Sequence, residues 1–217
     1  MKYAVLGTGM VGHTLATKLA SLGHEVSMCA RAANNEKAQV WAKANGANAR
    51  NSTFAEGATW ADRVIFAVNG ANIIEVADAV TNGAVAGKTV IDVSNPLDIS
   101  RGMPPTLVPE LSNSTSAGEA LQARLPSARV VKALNTMNHQ IMVDPARVPG
   151  QHDVFFCGDN PDAKADVVSM LAEFGWVDPI DLGPLAAARG TEGMMPFWLR
   201  MWGALGNADF NYRIVRA

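Results

Sequence analysis

The sequence predicts an α/β fold built on a doubly wound parallel sheet. Three observations predict it. Short β-rich runs alternate with helical stretches along most of the chain. One of those runs, DRVIFAVNG, is almost continuously apolar, as a strand buried on both faces must be, and KTVIDVSNP reads as another buried strand. A glycine string, GTGMVG, closes the first strand and opens the first helix.

Each element has its own local signal. Tyr3–Gly7 (YAVLG) reads as the first strand. Val11, Leu15, Leu19 and Leu22 recur at helical spacing, and Gly23 can supply the left-handed stop. HEVSMCA reads as the second strand. NEKAQVWAKANG reads as the second helix, capped by Asn34 or Asn35 and stopped at Gly46. A run near residues 47–52 is a candidate third strand, and TFAEGATWA a helical turn. The strand over residues 62–70 leads into the helix NIIEVADAV, and the strand over residues 88–96 ends at Pro96, which cannot continue a central ladder. The polar, Pro-rich stretch LDISRGMPPTLVPELSNSTS reads as a long loop. SAGEALQARLP is a helix capped by Ser114 or Ser116, followed by the strand ARVVKALNTM. HDVFFCGDN is a further strand, and the next helix opens with Asn160 as cap and Pro161 at its first position. WVDPIDLGP reads as the last strand, and residues 184–206 as helical.

Composition narrows the function. At 217 residues the chain is one domain, or one domain with a small annex. The apolar share of 48% and charged share of 18% suit a globular protein with a sizeable core. A net charge of −2 without a basic stripe argues against nucleic acid as partner. The N-terminal apolar run is short and broken by glycines, so it reads as a strand and not as a signal peptide. No apolar stretch has the length of a membrane span, and the expected location is the cytoplasm. Cys29 and Cys157 lie in apolar runs and read as buried structural thiols. The four histidines have no metal-ligand spacing, so no metal site is expected.

The glycine string is where chemistry enters. In a strand–loop–helix setting Gly7 permits the tight turn. Gly9 lets backbone approach a pyrophosphate, and Gly12 lets the helix pack on the sheet. The pyrophosphate then meets unpaired N–H groups and the positive end of the helix dipole. This is the Rossmann arrangement, in which an acid about 20 residues onward takes the ribose 2′-hydroxyl of NAD. Here the end of the second strand carries Ala30 and Arg31, and no carboxylate appears before Glu36. A guanidinium suits a 2′-phosphate. Lys37 can add a second positive charge, and Asn34 a hydrogen bond, so the expected cofactor is NADP(H). At the strand ends, Val68, Asn69 and Gly70, then Asn95 and Pro96, are expected to line the cofactor cleft. Ala133, which closes a third strand, is expected there too. Asn135, Met137 and Asn138 follow and are expected to meet the second substrate. The rim holds no Ser–Tyr–Lys set. His139 is the one titrating group there and reads as an ordinary loop histidine. Hydride transfer by stacking and distance therefore fits better than alcohol oxidation, which needs a proton acceptor, and no catalytic side chain is assigned.

These residues resemble the F420-dependent NADP oxidoreductases, a family related to the cytosolic reductase domains of membrane ferric reductases. The resemblance rests on GTGMVG, on Ala30–Arg31, on DVSNPLDISRG, and further along on VVKALNTM, VFFCGDNPDAKADV and DLGPLAAAR. It spans nearly the whole chain. It implies a Rossmann domain over residues 1–150. A small C-terminal α/β extension, residues 151–217, would complete the acceptor site and form the interface of a homodimer. It implies NADP contacts from Thr8, Met10, Val11, Arg31 and Lys37, with a deazaflavin acceptor meeting Asn135 and Met137; a flavin, a quinone or another small electrophile are the other candidate acceptors. Where members carry Ser-Arg-Arg this chain has Ala30–Arg31–Ala32, so phosphate reading rests on Arg31, with Lys37 second. Where they carry Leu-His-Thr-Ile-Pro, it has Leu134–Asn135–Thr136–Met137–Asn138.

Two rivals stand beside this reading. One is an NADPH-dependent imine or carbonyl reductase, though such enzymes normally add a large helical dimerisation domain and only about 34 residues follow Gly183 here. The other is a non-catalytic NADPH-binding sensor. The C-terminal run GMMPFWLRMWGALG carries more aromatic and Met side chains than one packed face needs, which suits a buried helix, a dimer interface or a lid over a planar ring.

Overall fold

The computed structural model describes residues 1–216; Ala217, the last residue of the expected extension, lies outside the described residues. One eight-stranded sheet organises the chain, in the order Ile180–Asp181 (β10), Phe155–Gly158 (β9), Arg129–Ala133 (β8), Thr89–Asp92 (β5), Arg63–Phe66 (β4), Lys2–Leu6 (β1), Glu25–Ala30 (β2) and Ala49–Thr53 (β3). Its parallel part comprises β1 (Lys2–Leu6), β2 (Glu25–Ala30), β3 (Ala49–Thr53), β4 (Arg63–Phe66), β5 (Thr89–Asp92) and β8 (Arg129–Ala133). The strand order reverses at β1, the first strand pairing with β2 on one side and β4 on the other. Ligands of open α/β sheets bind at such a switch point, beyond the carboxyl ends of the strands.

Strand periodicity divides the core into two layers. Tyr3 and Val5 face one layer with Leu15 and Leu19 of α1 (Met10–Ser21) and Trp41 of α2 (Glu36–Ala44). The same layer takes in Val167, Met170 and Leu171 of α7 (Pro161–Phe174). Ala4 and Leu6 face the other, with Phe54 of α3 (Phe54–Trp60), Val76 of α4 (Ile73–Val80) and Leu121 of α5 (Ala117–Arg124). Helices thus cover both faces, which is why the inner strands are apolar on both sides.

Local chemistry sets most boundaries as expected. Asn35 caps α2, accepting from the Ala38 N–H at 3.1 Å. Ser116 caps α5, and Asn160 caps α7 with Pro161 behind it. Gly23 and Gly46 stop α1 and α2 with φ of +87° and +78°. Thr53 and Glu56 form a reciprocal capping box that starts α3.

Two features depart from the expectation. The stretch after Pro96 is not all loop: β6 (Leu97–Asp98) and β7 (Thr106–Leu107) form a short antiparallel hairpin. The last two strands also reverse direction. β9 (Phe155–Gly158) pairs antiparallel to β8, and β10 (Ile180–Asp181) runs parallel to β9. Between β8 and β9 the chain makes α6 (His139–Val143) and a 3-10 turn at Pro145–Arg147, then re-enters the sheet from the end it had just left. Residues beyond 150 therefore extend the same sheet. They end in α8 (Ala188–Gly193) and α9 (Met195–Leu205), whose inner side chains Met195, Trp198 and Leu199 pack with Leu97 and Leu107 of the hairpin.

Candidate nucleotide cleft

The glycine loop crosses the sheet where β1 meets β4. Gly7 has φ +125°, and a Cβ there would stand 2.3 Å from the Ala67 carbonyl oxygen. A Cβ on Gly12 would lie 2.1 Å from the Gly7 carbonyl oxygen. Both positions are closed to any side chain by backbone. Gly9 differs: nothing lies within 4 Å of where its Cβ would be. Its bare backbone faces open space, which is what a cradle for a ligand requires. Gly9 also begins α1 without a side-chain cap, and the first turn has no acidic residue. The helix therefore offers unpaired N–H groups and a positive end to an anion. The residues present fit a dinucleotide pyrophosphate.

A cleft of about 480 Å³ opens from this loop, lined by Gly7, Thr8 and Gly9, by Arg31 and Asn34, and by Val68 and Asn69 from the end of β4. Cys29, Phe54 and Val76 also line it, which the sequence reading did not single out. A larger cavity of about 720 Å³, beside Asp144, His152 and Trp176, shares no residue with the cleft and has no glycine cradle.

Arg31 stands at the mouth of the cleft. Its Nε donates to Glu75 Oε1 at 2.9 Å and its Nη2 to Glu75 Oε2 at 3.3 Å. The pair is exposed on both sides, 66% and 61%. Glu75 belongs to the first turn of α4 and borders a recess beside the cleft that Arg31 also lines.

Several known proteins are similar to this chain. A family model described as NADP oxidoreductase, coenzyme F420-dependent, matches residues 2–96. A protein of Arthrobacter sp. FB24, provisionally named an F420-dependent NADP reductase, is 45% identical over 100% of both chains, and its crystal structure superposes with a TM-score of 0.92. The chain belongs to the F420-dependent NADP oxidoreductase family. The F420-dependent NADP reductase of Methanocaldococcus jannaschii is 30% identical over 112 residues, 51% of this chain; the match spans about half, 48%, of that curated relative. A reductive aminase of Aspergillus terreus, solved with NADPH and ethyl-5-oxohexanoate, shares the fold at a TM-score of 0.67 and 18% identity, over 94% of this chain and 62% of its own.

The remaining residues expected at the site fall in three groups. Met10, Val11 and Lys37 sit at helix starts: Met10 and Lys37 are exposed, and Val11 leans on the core. Gly70, Asn95 and Pro96 form a close crossing. The Gly70 N–H donates to the Asn95 carbonyl at 2.9 Å, and a Cβ on Gly70 would stand 2.6 Å from the Asn95 carbonyl carbon. Ala133, Asn135 and Met137 are buried around the end of β8. Leu134 there has φ +64°, a left-handed turn in a branched residue, and strain of this kind gathers at functional rims. The turn brings Asn135 back against Asn95. Asn135 Nδ2 donates to Asn95 Oδ1 at 2.9 Å and Asn95 Nδ2 to the Asn135 carbonyl at 2.8 Å. Met137 packs into the core near Ile141, and Asn138 caps α6 through the Gln140 N–H at 2.9 Å. His139 follows, its Nδ1 2.7 Å from Thr14 Oγ1. Burial first, and then the charges of Arg147 and His13, hold its pKa below the ordinary value.

Behind the rim lies an ion cluster the sequence reading did not anticipate. Lys132 Nζ donates to Asp92 Oδ2 at 2.9 Å, to Glu192 Oε1 at 2.7 Å and to the Ser94 carbonyl at 2.5 Å. All three side chains are buried. Burial alone pushes the ammonium down, but the two carboxylates outweigh it and hold its pKa above the ordinary value. Burial raises the Glu192 pKa, and Lys132 opposes that. Glu192 also accepts from the Ala117 and Gly118 N–H groups at the start of α5. Those donors offset the extra negative charge. A signal existed: Asp92 and Lys132 are lone charges in apolar runs, and they are register partners across β5 and β8.

Proposed function

We propose that the chain is an NADP(H)-dependent oxidoreductase that moves hydride between the nicotinamide and a planar acceptor, coenzyme F420 or a flavin. The observation that carries this is the cradle: Gly9 bare toward the cleft, α1 uncapped, and at the mouth a guanidinium where NAD sites place an acid. When bound, the cofactor supplies the hydride chemistry itself. The chain's part is position. Gly7, Gly9 and Gly12 hold the pyrophosphate, with Thr8, Met10 and Val11 beside it. Arg31 reads the 2′-phosphate with Asn34 and Lys37 near it, and Val68, Asn69, Gly70, Asn95, Pro96 and Ala133 shape the nicotinamide end. The Asn95–Asn135 amide pair keeps the ends of β5 and β8 at a fixed separation. In this reading Asn135, Met137 and Asn138 support the acceptor side of the rim. Membership of the family supports the same activity.

The protein is proposed to act as a cytoplasmic homodimer on small molecules, with residues 151–217 closing the acceptor side. No helix among the described residues is long and apolar enough to cross a membrane.

Steady-state oxidation of NADPH with F420, FMN, FAD or a quinone tests this reading. Turnover with F420 or a flavin is expected. Tight NADPH binding without turnover on any acceptor would overturn the enzyme reading in favour of a sensor.

A further inference from the structure

We propose that Glu75 is a specificity-determining residue for the cofactor, because its carboxylate competes with a 2′-phosphate for the Arg31 guanidinium. The inference rests on the reading of Arg31 as the phosphate-binding residue.

The geometry carries it in three steps. First, the fork that suits a phosphate is already filled. Nε and Nη2 are the donors that bind a planar or tetrahedral anion side-on, and both go to the two oxygens of Glu75. Second, the pairing holds the guanidinium aside. Arg31 borders both the nucleotide cleft and a neighbouring recess of about 290 Å³ toward α3 and α4, whereas Glu75 lines the recess and not the cleft. Offering that side-on edge to a 2′-phosphate in the cleft therefore requires the guanidinium to leave the carboxylate. Third, the exchange is cheap enough to occur. Both partners are exposed, and exposed ion pairs contribute little net free energy. Glu75 loses its partner but stays in the first turn of α4, where a carboxylate favours the helix dipole. A 2′-phosphate carries close to two negative charges and outcompetes one carboxylate, yet it binds against the free energy of the pair it displaces. Glu75 thus lowers affinity for NADP(H) and leaves NAD(H), which makes no demand on Arg31, untouched. The competing acid comes from α4, on the recess side of Arg31, and not from β2, where sequence comparison would look for it.

Binding of 2′,5′-ADP, 5′-AMP, NADPH and NADH to wild type, Glu75→Gln, Arg31→Ala and the double variant tests this by calorimetric titration. Glu75→Gln is expected to tighten 2′,5′-ADP and NADPH about twofold to fivefold and to leave 5′-AMP and NADH unchanged. In the Arg31→Ala background the same change is expected to have no effect, which identifies the coupling as one between these two side chains. If Glu75→Gln leaves NADPH binding unchanged or weakens it, while Arg31→Ala abolishes the preference for NADPH, the inference about Glu75 falls and the role of Arg31 stands. If Arg31→Ala leaves the preference intact, the reading of Arg31 falls and this inference with it.

Discussion

At the scale of single residues, the three glycines of the loop do different things, and substitution separates them. Gly12→Ala forces a Cβ to 2.1 Å from the Gly7 carbonyl oxygen, a backbone atom that cannot swing away. It is expected to destabilise the fold by about 1–3 kcal/mol, read as a lower urea midpoint. Gly9→Ala meets nothing within 4 Å and is expected to unfold at the wild-type midpoint while losing most dinucleotide affinity. Loss of stability in Gly9→Ala would remove the cradle reading. Arg31→Ala is expected to weaken NADPH binding by about tenfold to a hundredfold without changing NADH; equal loss of both would sink the 2′-phosphate assignment. The cysteines illustrate a simpler lesson. Cys157 is held at a pKa of about 12 by burial, which exceeds the help its thiolate would get from Lys132 and Lys164. Burial raises Cys29 too. Neither thiol should react with iodoacetamide in the native protein at pH 8.5, and both should react in urea. The sign is fixed by which state ionises first: with the folded pKa raised, Cys157 contributes stability below its unfolded pKa that is lost as pH climbs toward 12.

At the scale of elements, caps were legible from a few residues because their physics is local. Asn35, Ser116 and Asn160 accept from N–H groups three residues on, and each was readable as a polar residue before an apolar period. The ion cluster was not readable in full, because it joins β5, β8, α5 and α8 over sequence separations of up to 100 residues. Its energetics are sharp. Lys132→Met leaves two carboxylates buried without their cation and is expected to cost about 3–5 kcal/mol. Combining it with Asp92→Leu and Glu192→Gln should restore much of that loss. A thermal midpoint for Lys132→Met equal to wild type would contradict the cluster. Because Glu192 belongs to α8 and holds the first N–H groups of α5, the same substitution is expected to loosen the C-terminal helices, seen as faster amide exchange there.

At the scale of the whole molecule, the reversal of β9 and β10 carries the chain back across the sheet, and α9 then packs over the β6–β7 hairpin. This leaves α9 with two unlike faces: Trp198 is inside, while Phe197, Trp202 and Leu205 are exposed. Exposed apolar side chains grouped on one helix suit an interface. The proposed homodimer would cover them, and Leu205→Glu is expected to convert it to a monomer in sedimentation velocity. A wild-type protein that sediments as a monomer would remove that proposal. By itself the sequence determined the parallel α/β core, the Asn160 cap, the burial of both cysteines and the glycine string, and it narrowed two further caps to a pair of residues each. Those properties follow from periodicity, capping and backbone sterics, all of which act within a few residues. Only the tertiary structure decided that the last strands run backwards, that Asn95 and Asn135 lock the rim, and that Lys132 needs Glu192. It alone showed that Arg31 arrives already paired with Glu75. Each of these joins side chains distant in sequence, and a charge's partner is set by which elements the sheet order brings side by side.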